Sequence, residues 1–478
     1  MTPTFAIART TGLVLFRHIE QAVGGRAVAT VIAAIVGAAV VLYNVVAYDF
    51  LARFLPADAV EASYIDAAQL VDALSAAQVA SAGGIAVLVL ILAPGNSAVR
   101  ISAQVLSARR VPARLGESIP FVVLITTASG ALTIGPSVYL GSIVGDGPFT
   151  ACALLATNVA SALGIAIVAE SLRLIGTAVR LSSAAVQLIA ILGAVTVVGV
   201  TVYDSTAAAR EGRAPAAAIW SEIVTMRQGV DGSVVALSAA VLSTAVLLVT
   251  LLAVRCAQRL EPLGHPHRLF TLRRCLPRGS SWLTREIAMA VRQPIGQVSL
   301  AVSVVTVVLV GVAARNGVMP PSAALMACAM LAAAPLELSW GRVATWSWVY
   351  RQDRTPATRI VLPQVAAGMV WAVLLTGAAF GVIGTVPEPS DVVHHSLVLI
   401  AAASVAYAAG CVAPANADVP ASVAVTSVLA IVCETLVVWA GSRLDLLHLG
   451  LSGVLFGVVA VASLGAAVAR IRSRLEGP

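Results

Sequence analysis

Glu434 is the residue whose chemistry stands out most clearly in this sequence. It lies in the apolar segment VLAIVCETLVVW, from Val428 to Trp439, with no basic residue within one helical turn. A charge at the centre of a bilayer costs several kcal/mol unless it is paired or hydrated. Two interpretations stay open: Glu434 faces a cavity and binds a proton or a cationic part of a substrate, or it hydrogen-bonds between helices and rigidifies the bundle. Both place its side chain in the interior, and Glu434 is the candidate substrate-binding residue.

Four other polar residues lie inside or at the ends of apolar segments. Glu170 and Glu337 fall at the predicted inner ends of their spans, where a solvated or arginine-paired carboxylate is the favoured interpretation. Asn44 and Asn158 lie within spans, and buried asparagines more often join two helices than bind a ligand.

No catalytic or metal-binding set is recognisable. The chain contains no lysine, which excludes a G-x-x-x-x-G-K-[ST] phosphate loop, and no soluble stretch is long enough for an ATPase domain. The histidines at 265, 267, 394 and 395 lack a set of further ligands, so no metal is assigned. We therefore expect no enzyme activity and no cofactor in this chain, with any ATP chemistry supplied by a partner.

Arginines collect in a few short segments. Between Arg255 and Gln297 there are eight arginines and only two glutamates, Glu261 and Glu286. Further arginines follow the predicted second and eighth spans, at Arg100, Arg109, Arg110, Arg342, Arg351 and Arg354. The net charge of +7 therefore indicates topology, not nucleic-acid binding, and the positive-inside rule puts these segments and both termini in the cytoplasm.

The composition predicts an all-α polytopic membrane protein. Hydrophobic residues make up 59% of the chain, charged residues 11%, and the mean hydropathy is +0.94. A helix needs about 20 apolar residues to cross the hydrocarbon layer. On this basis we predict twelve transmembrane helices, at about 27–48, 76–93, 120–144, 149–169, 184–203, 234–254, 298–314, 322–338, 361–386, 396–412, 420–440 and 449–469.

Two short sequence matches indicate a duplicated six-helix unit. RHIEQAV from Arg17 precedes the first span and REIAMAV from Arg285 precedes the seventh. After the second span the chain reads AP, then Arg100, then ARRVPAR; after the eighth it reads AP, then Arg342, then RQDRTPATR. The predicted organisation is a first half at 1–254, a basic cytoplasmic linker at 255–297 with an amphipathic helix at 282–291, and a second half at 298–478.

The segment R-E-x-x-x-x-x-R-x-P before the seventh span, with Arg285, Glu286, Arg292 and Pro294, resembles the membrane-surface elbow helix of ABC-2 type exporter permeases. The basic loops after the second and eighth spans are similar to the segments that such permeases dock onto their ATPases. The resemblance implies a permease that fuses both halves in one chain and lies in a cell membrane of the bacterial inner-membrane type. It also implies an ABC ATPase partner in two copies that binds ATP and Mg²⁺, with the six loop arginines as coupling residues.

The apolar bundle is compatible with an amphipathic substrate such as a drug, antibiotic, peptide or lipid. Two other classes stay open. A secondary transporter of major facilitator type also has two six-helix halves and a basic middle loop, but its G-x-x-x-D-R-x-G-R-R loop is missing here. A membrane-embedded enzyme or assembly scaffold would need a clustered catalytic set that the loops do not show.

Overall fold

The computed structural model describes residues 3–23, 26–54, 86, 110–144, 147–179, 181, 183–211, 232–257, 283–284, 286–288, 294–315, 321–344, 347–384, 389–414, 420–446 and 452–476. Every regular element in these ranges is a helix. Helices dominate because hydrocarbon offers no hydrogen bonds to the backbone, so each span must pair its own N–H and C=O groups.

Seven of the described helices are long and apolar enough to cross a membrane, and four further described helices contain shorter apolar segments. The chain is therefore an all-α polytopic membrane protein. The predicted second span, at 76–93, lies outside the described residues apart from Ala86; each other predicted span falls on a described helix. The count of twelve and the cytoplasmic termini stay predictions.

Backbone contacts divide the chain into two compact units. Unit 1 comprises Met1–Leu15 and Ala33–His265, and unit 2 comprises Phe16–Ile32 and Pro266–Pro478. The helices that begin the chain, α1 (Pro3–Val23) and α2 (Arg26–Phe54), each contribute residues to both units.

Unit 1 is built around one central helix. The remaining helices of this unit are α3 (Arg110–Val144), α4 (Gly147–Ala178), α5 (Ser183–Glu211) and α6 (Gly232–Ala257). Helix α4 packs on α3, α5 and α6. Its contact face is rich in alanine, with Ala160, Ala162 and Ala166 fully buried, which lets the neighbouring helices approach closely.

Unit 2 contains α7 (Pro294–Arg315), α8 (Pro321–Ala333), a 3₁₀ segment (Ala334–Leu338), α9 (Ser339–Ala344), α10 (Ser347–Gln352), α11 (Ala357–Ile383), α12 (Pro389–Val412), α13 (Pro420–Leu446) and α14 (Ser452–Glu476). Helix α12 is central and packs on α8, α13 and α14. A cluster that includes Trp340, Tyr407 and Ile471 forms the core at one end of this unit. The two units share one packing feature. In unit 1 the helix of the predicted fourth span, α4, packs most extensively on α6, the helix of the sixth span. In unit 2 the corresponding helices are α12 and α14, and they also pack on each other most extensively.

The predicted eighth span is not one continuous α-helix. Helix α8 ends at Ala333, and the chain tightens into the 3₁₀ segment before α9 begins. Pro335 lies in the first turn of this segment and has no N–H to donate to the preceding turn. The segment carries Glu337, so the break sets the position of that carboxylate.

Candidate functional site

Glu337 is buried on the 3₁₀ segment of unit 2, with 7% of its surface exposed. The Ser427 hydroxyl, on α13, donates a hydrogen bond to Glu337 Oε1 at 2.6 Å. Its main chain is equally enclosed, because a Cβ atom added at Gly410 of α12 would meet the Glu337 carbonyl oxygen. Glu337 therefore joins the 3₁₀ segment to α12 and α13. The prediction that it is solvated or arginine-paired is wrong, because the break at Pro335 turns it into the bundle.

Glu434 lies two helical turns after Ser427 on the same helix, and 4% of its surface is exposed. Its Oε1 atom has no hydrogen-bond partner among the described residues. Seven residues of α-helix rise about 10 Å and return to nearly the same face, so Ser427 and Glu434 share a face of α13. Glu337 is near enough to interact electrostatically with Glu434. As predicted, the Glu434 side chain is in the interior.

Neither carboxylate forms an ion pair with a residue in the described part of the chain. The elements that pack on α13 are α12, α14 and the 3₁₀ segment. The basic residues of α14 fall in its last turns, where Arg472 pairs with Glu476 at 3.7 Å and the Arg474 carbonyl accepts hydrogen bonds from Arg351. Unit 2 thus holds two buried carboxylates for which the described residues supply no neutralising cation.

Glu170 of unit 1 provides the contrast. It is 1% exposed, and its Oε1 accepts hydrogen bonds from Arg173 at 3.0 Å and Arg255 at 3.1 Å. Arg255 also donates to the Ser118 hydroxyl at 3.1 Å, and its guanidinium lies 4.0 Å from the centre of the Phe121 ring. The predicted arginine pairing of Glu170 is confirmed. Arg255, the first residue of the predicted linker, lies in the last turn of α6 and joins this helix to α3 and α4.

The predicted role of Asn44 as a link between helices is also confirmed. Its Nδ2 donates to the Ala131 carbonyl at 2.8 Å, and its Oδ1 accepts from the Gly135 N–H at 2.6 Å. These two backbone groups are i and i+4 partners in a regular helix, and Pro136 follows directly. The asparagine amide therefore satisfies both groups from α2, where the glycine permits close approach.

The segment between the eighth and ninth spans forms α10 and a short turn. Trp348 is 55% exposed, and Arg351 and Arg354 are exposed. Arg351 donates from Nε at 3.2 Å and from Nη2 at 2.5 Å to the Arg474 carbonyl, which fixes α10 beside the end of α14. Arg354 has a φ of 48°, in the left-handed region, where the chain turns towards α11.

Four other predicted coupling residues are not described in full. The backbones of Arg110 and Arg342 lie on described helices, but their side chains are outside the described set. Arg100 and Arg109 lie outside the described residues. In the predicted elbow helix, residues 283–284 and 286–288 are helical. Arg285 and Arg292 lie outside the described residues, and Pro294 is the first residue of α7. Glu286 is 4% exposed, and burial together with the Glu286 carboxylate raises the pKa of Tyr350 on α10. Glu286 of the elbow-like segment is therefore within electrostatic range of α10.

Three features of unit 2 were missed from sequence. Ser427 could have been found because it precedes Glu434 by two helical turns, and Pro335 marks the break that turns Glu337 inward. The hydrogen bond from the Tyr407 hydroxyl to Gln364 Oε1, at 2.7 Å, joins α12 to α11, and no sequence signal indicated it.

Comparisons with protein-family models, curated proteins and solved structures find no match.

Proposed function

We propose that this chain is the membrane permease of an ATP-driven exporter. It moves an amphipathic substrate such as a drug, antibiotic, peptide or lipid across a cell membrane of the bacterial inner-membrane type. A separate cytoplasmic ABC ATPase, in two copies, binds ATP and Mg²⁺ and supplies the energy. The absence of lysine supports this division, because the chain cannot build a phosphate loop of its own.

The observation that carries the proposal is the exposed surface formed by Trp348, Arg351, Gln352 and Arg354 at α10 and the following turn. Exposed tryptophan and arginine side chains on a fixed backbone are the residue types that dominate the binding energy of protein interfaces. The backbone here is fixed, because Arg351 joins α10 to α14. A force applied by a partner at α10 would therefore reach the spans directly.

The elbow-like segment strengthens the proposal. Glu286 is within electrostatic range of Tyr350, which relates the segment that leads into α7 to α10. Movement of α10 by the ATPase would thus act on both α14 and the entry to the seventh span. Glu434 stays the candidate substrate-binding residue on this pathway, for a proton or for a cationic part of the substrate.

The test is co-purification of the chain with an ABC ATPase encoded beside it. Arg354→Glu and Trp348→Ala should each weaken the complex by about 2 kcal/mol, roughly 30-fold, because both remove a central interface contact. Arg315→Glu is the matched control. Arg315 is also an exposed arginine, but it lies at the C-terminal end of α7, whereas the elbow-like segment precedes the N-terminal end of that helix. Equal recovery of the ATPase with Arg354→Glu and Arg315→Glu would contradict the proposal. Transport by the chain alone in proteoliposomes, driven by a proton gradient, would favour a secondary transporter instead.

A further inference from the structure

We infer that Glu337, Ser427 and Glu434 form a proton-binding site inside unit 2, with the proton on Glu434. The site is separate from the α10 surface, and the inference holds whether or not an ATPase drives the protein. Proton binding here converts the Glu434 carboxylate and one proton to a neutral carboxylic acid, without any other reactant.

Burial and the lack of a cation carry the first step of the argument. Glu434 is 4% exposed, forms no ion pair with a described residue, and leaves Oε1 without a hydrogen bond among those residues. An isolated carboxylate in such an environment loses its hydration and gains nothing in return. Protonation removes the charge and is the least costly way to keep this side chain inside.

The second step concerns which carboxylate holds the proton. Glu337 receives a hydrogen bond from Ser427, and a hydroxyl donor stabilises the ionised form of a carboxylate. Glu434 has no such donor among the described residues and lies within electrostatic reach of Glu337. Two neighbouring carboxyl groups with different surroundings divide into one that ionises more easily and one that keeps its proton. The proton is therefore assigned to Glu434.

An independent feature of the backbone points to the same place. The 3₁₀ segment interrupts the eighth span at Pro335 and presents Glu337 to α13. Short 3₁₀ stretches within a helix often mark functional hinges, and interrupted membrane helices often line binding sites. Here the interruption puts the Glu337 carboxylate against Ser427 of α13, two helical turns before Glu434.

The surroundings of the pair contain few groups that could replace the proton. On α13 itself Cys433 adjoins Glu434. The titratable and charged residues of the helices packed against α13 are Asp391, His394, His395, Tyr407 and Cys411 on α12, and Arg470, Arg472, Arg474 and Glu476 on α14. Tyr407 donates to Gln364, and the α14 group falls in the last turns of that helix, away from mid-span Glu434.

The site can be tested on the purified full chain with a hydrophobic carbodiimide. A protonated carboxyl transfers its proton to a carbodiimide nitrogen while its oxygen bonds to the central carbon, and the adduct is mapped by peptide mass spectrometry. We expect Glu434 to be modified at about pH 7, and modification to decrease as the pH is raised and the proton is lost. Glu170 is the internal control, because it is equally buried but ion-paired with Arg173 and Arg255.

Two variants separate the roles of the residues. Ser427→Ala removes the donor to Glu337, so modification of Glu337 should rise several-fold while the chain still elutes as a folded species. Glu337→Gln removes the neighbouring negative charge, so modification of Glu434 should begin to fall at a lower pH than in the wild type.

Three results would overturn the inference. One is no modification of Glu434 between about pH 6 and about pH 9, and another is equal modification of Glu434 and Glu170. The third is protection of Glu434 by tetraphenylphosphonium at about pH 8 without any pH dependence, which would make the site one for a cationic substrate. None of these results bears on ATPase binding at α10, so the two proposals fail separately.

Discussion

Replacing Arg255 by methionine should destabilise unit 1 by about 2–3 kcal/mol. The guanidinium forms a charged hydrogen bond with Glu170, a second hydrogen bond with Ser118 and a contact with the Phe121 ring. Each hydrogen bond that involves a charged group contributes about 1.5–3 kcal/mol, and a cation over an aromatic ring about 0.5–2. Methionine recovers part of this by packing its apolar side chain, and Arg173 still neutralises Glu170.

Glu170→Gln should cost more, about 3–5 kcal/mol, because both arginines then lose their counter-charge while their side chains stay 15% and 12% exposed. Arg472→Met is the control. Its ion pair with Glu476 is 68% and 72% exposed, and exposed pairs contribute about 0–1 kcal/mol.

The assay is reversible unfolding in mixed micelles with increasing sodium dodecyl sulfate, followed by helical circular dichroism. The expected order of destabilisation is Glu170→Gln, then Arg255→Met, then Arg472→Met. The reasoning would be refuted if Arg255→Met and Arg472→Met had the same unfolding free energy. A double-mutant cycle with Ser118→Ala then isolates the hydrogen bond between Arg255 and Ser118.

Three further predictions concern packing and topology. Asn44→Leu should lower the unfolding free energy by about 1–2 kcal/mol, because two backbone groups of α3 lose their partners, and a wild-type value would contradict this. Gly410→Ala should lower the unfolding free energy by about 1–3 kcal/mol, because the added Cβ meets the Glu337 carbonyl. Gly465 has open space around it, so Gly465→Ala is the control and should be neutral or stabilising. Equal effects of the two substitutions would refute the contact. A single cysteine at Gly279 should react with an impermeant thiol reagent only after cells are opened, and labelling of intact cells would reverse the predicted orientation.

Most of the secondary structure could be predicted from sequence because it depends on local properties. An apolar run of about 20 residues forms a spanning helix wherever it occurs, and the described helices follow the predicted segments. The interior position of Glu434 followed from the cost of exposing a carboxylate to lipid, and its burial bears this out. The break at Pro335 is local too, but the predicted span ran across it.

The partners of the polar residues were decided only by the tertiary structure. Glu170 and Arg255 are 85 positions apart, and Ser427 and Glu337 are 90. Helical periodicity fixes which residues share a face of one helix, so it relates Ser427 to Glu434 but cannot say which helix faces them. That choice depends on how the helices pack, since small residues on several spans allow many close pairings and only the complete bundle selects one. For this reason Glu170 gained Arg255 from another helix in addition to Arg173 on its own, whereas Glu337 and Glu434 have no arginine partner in the described part of the chain.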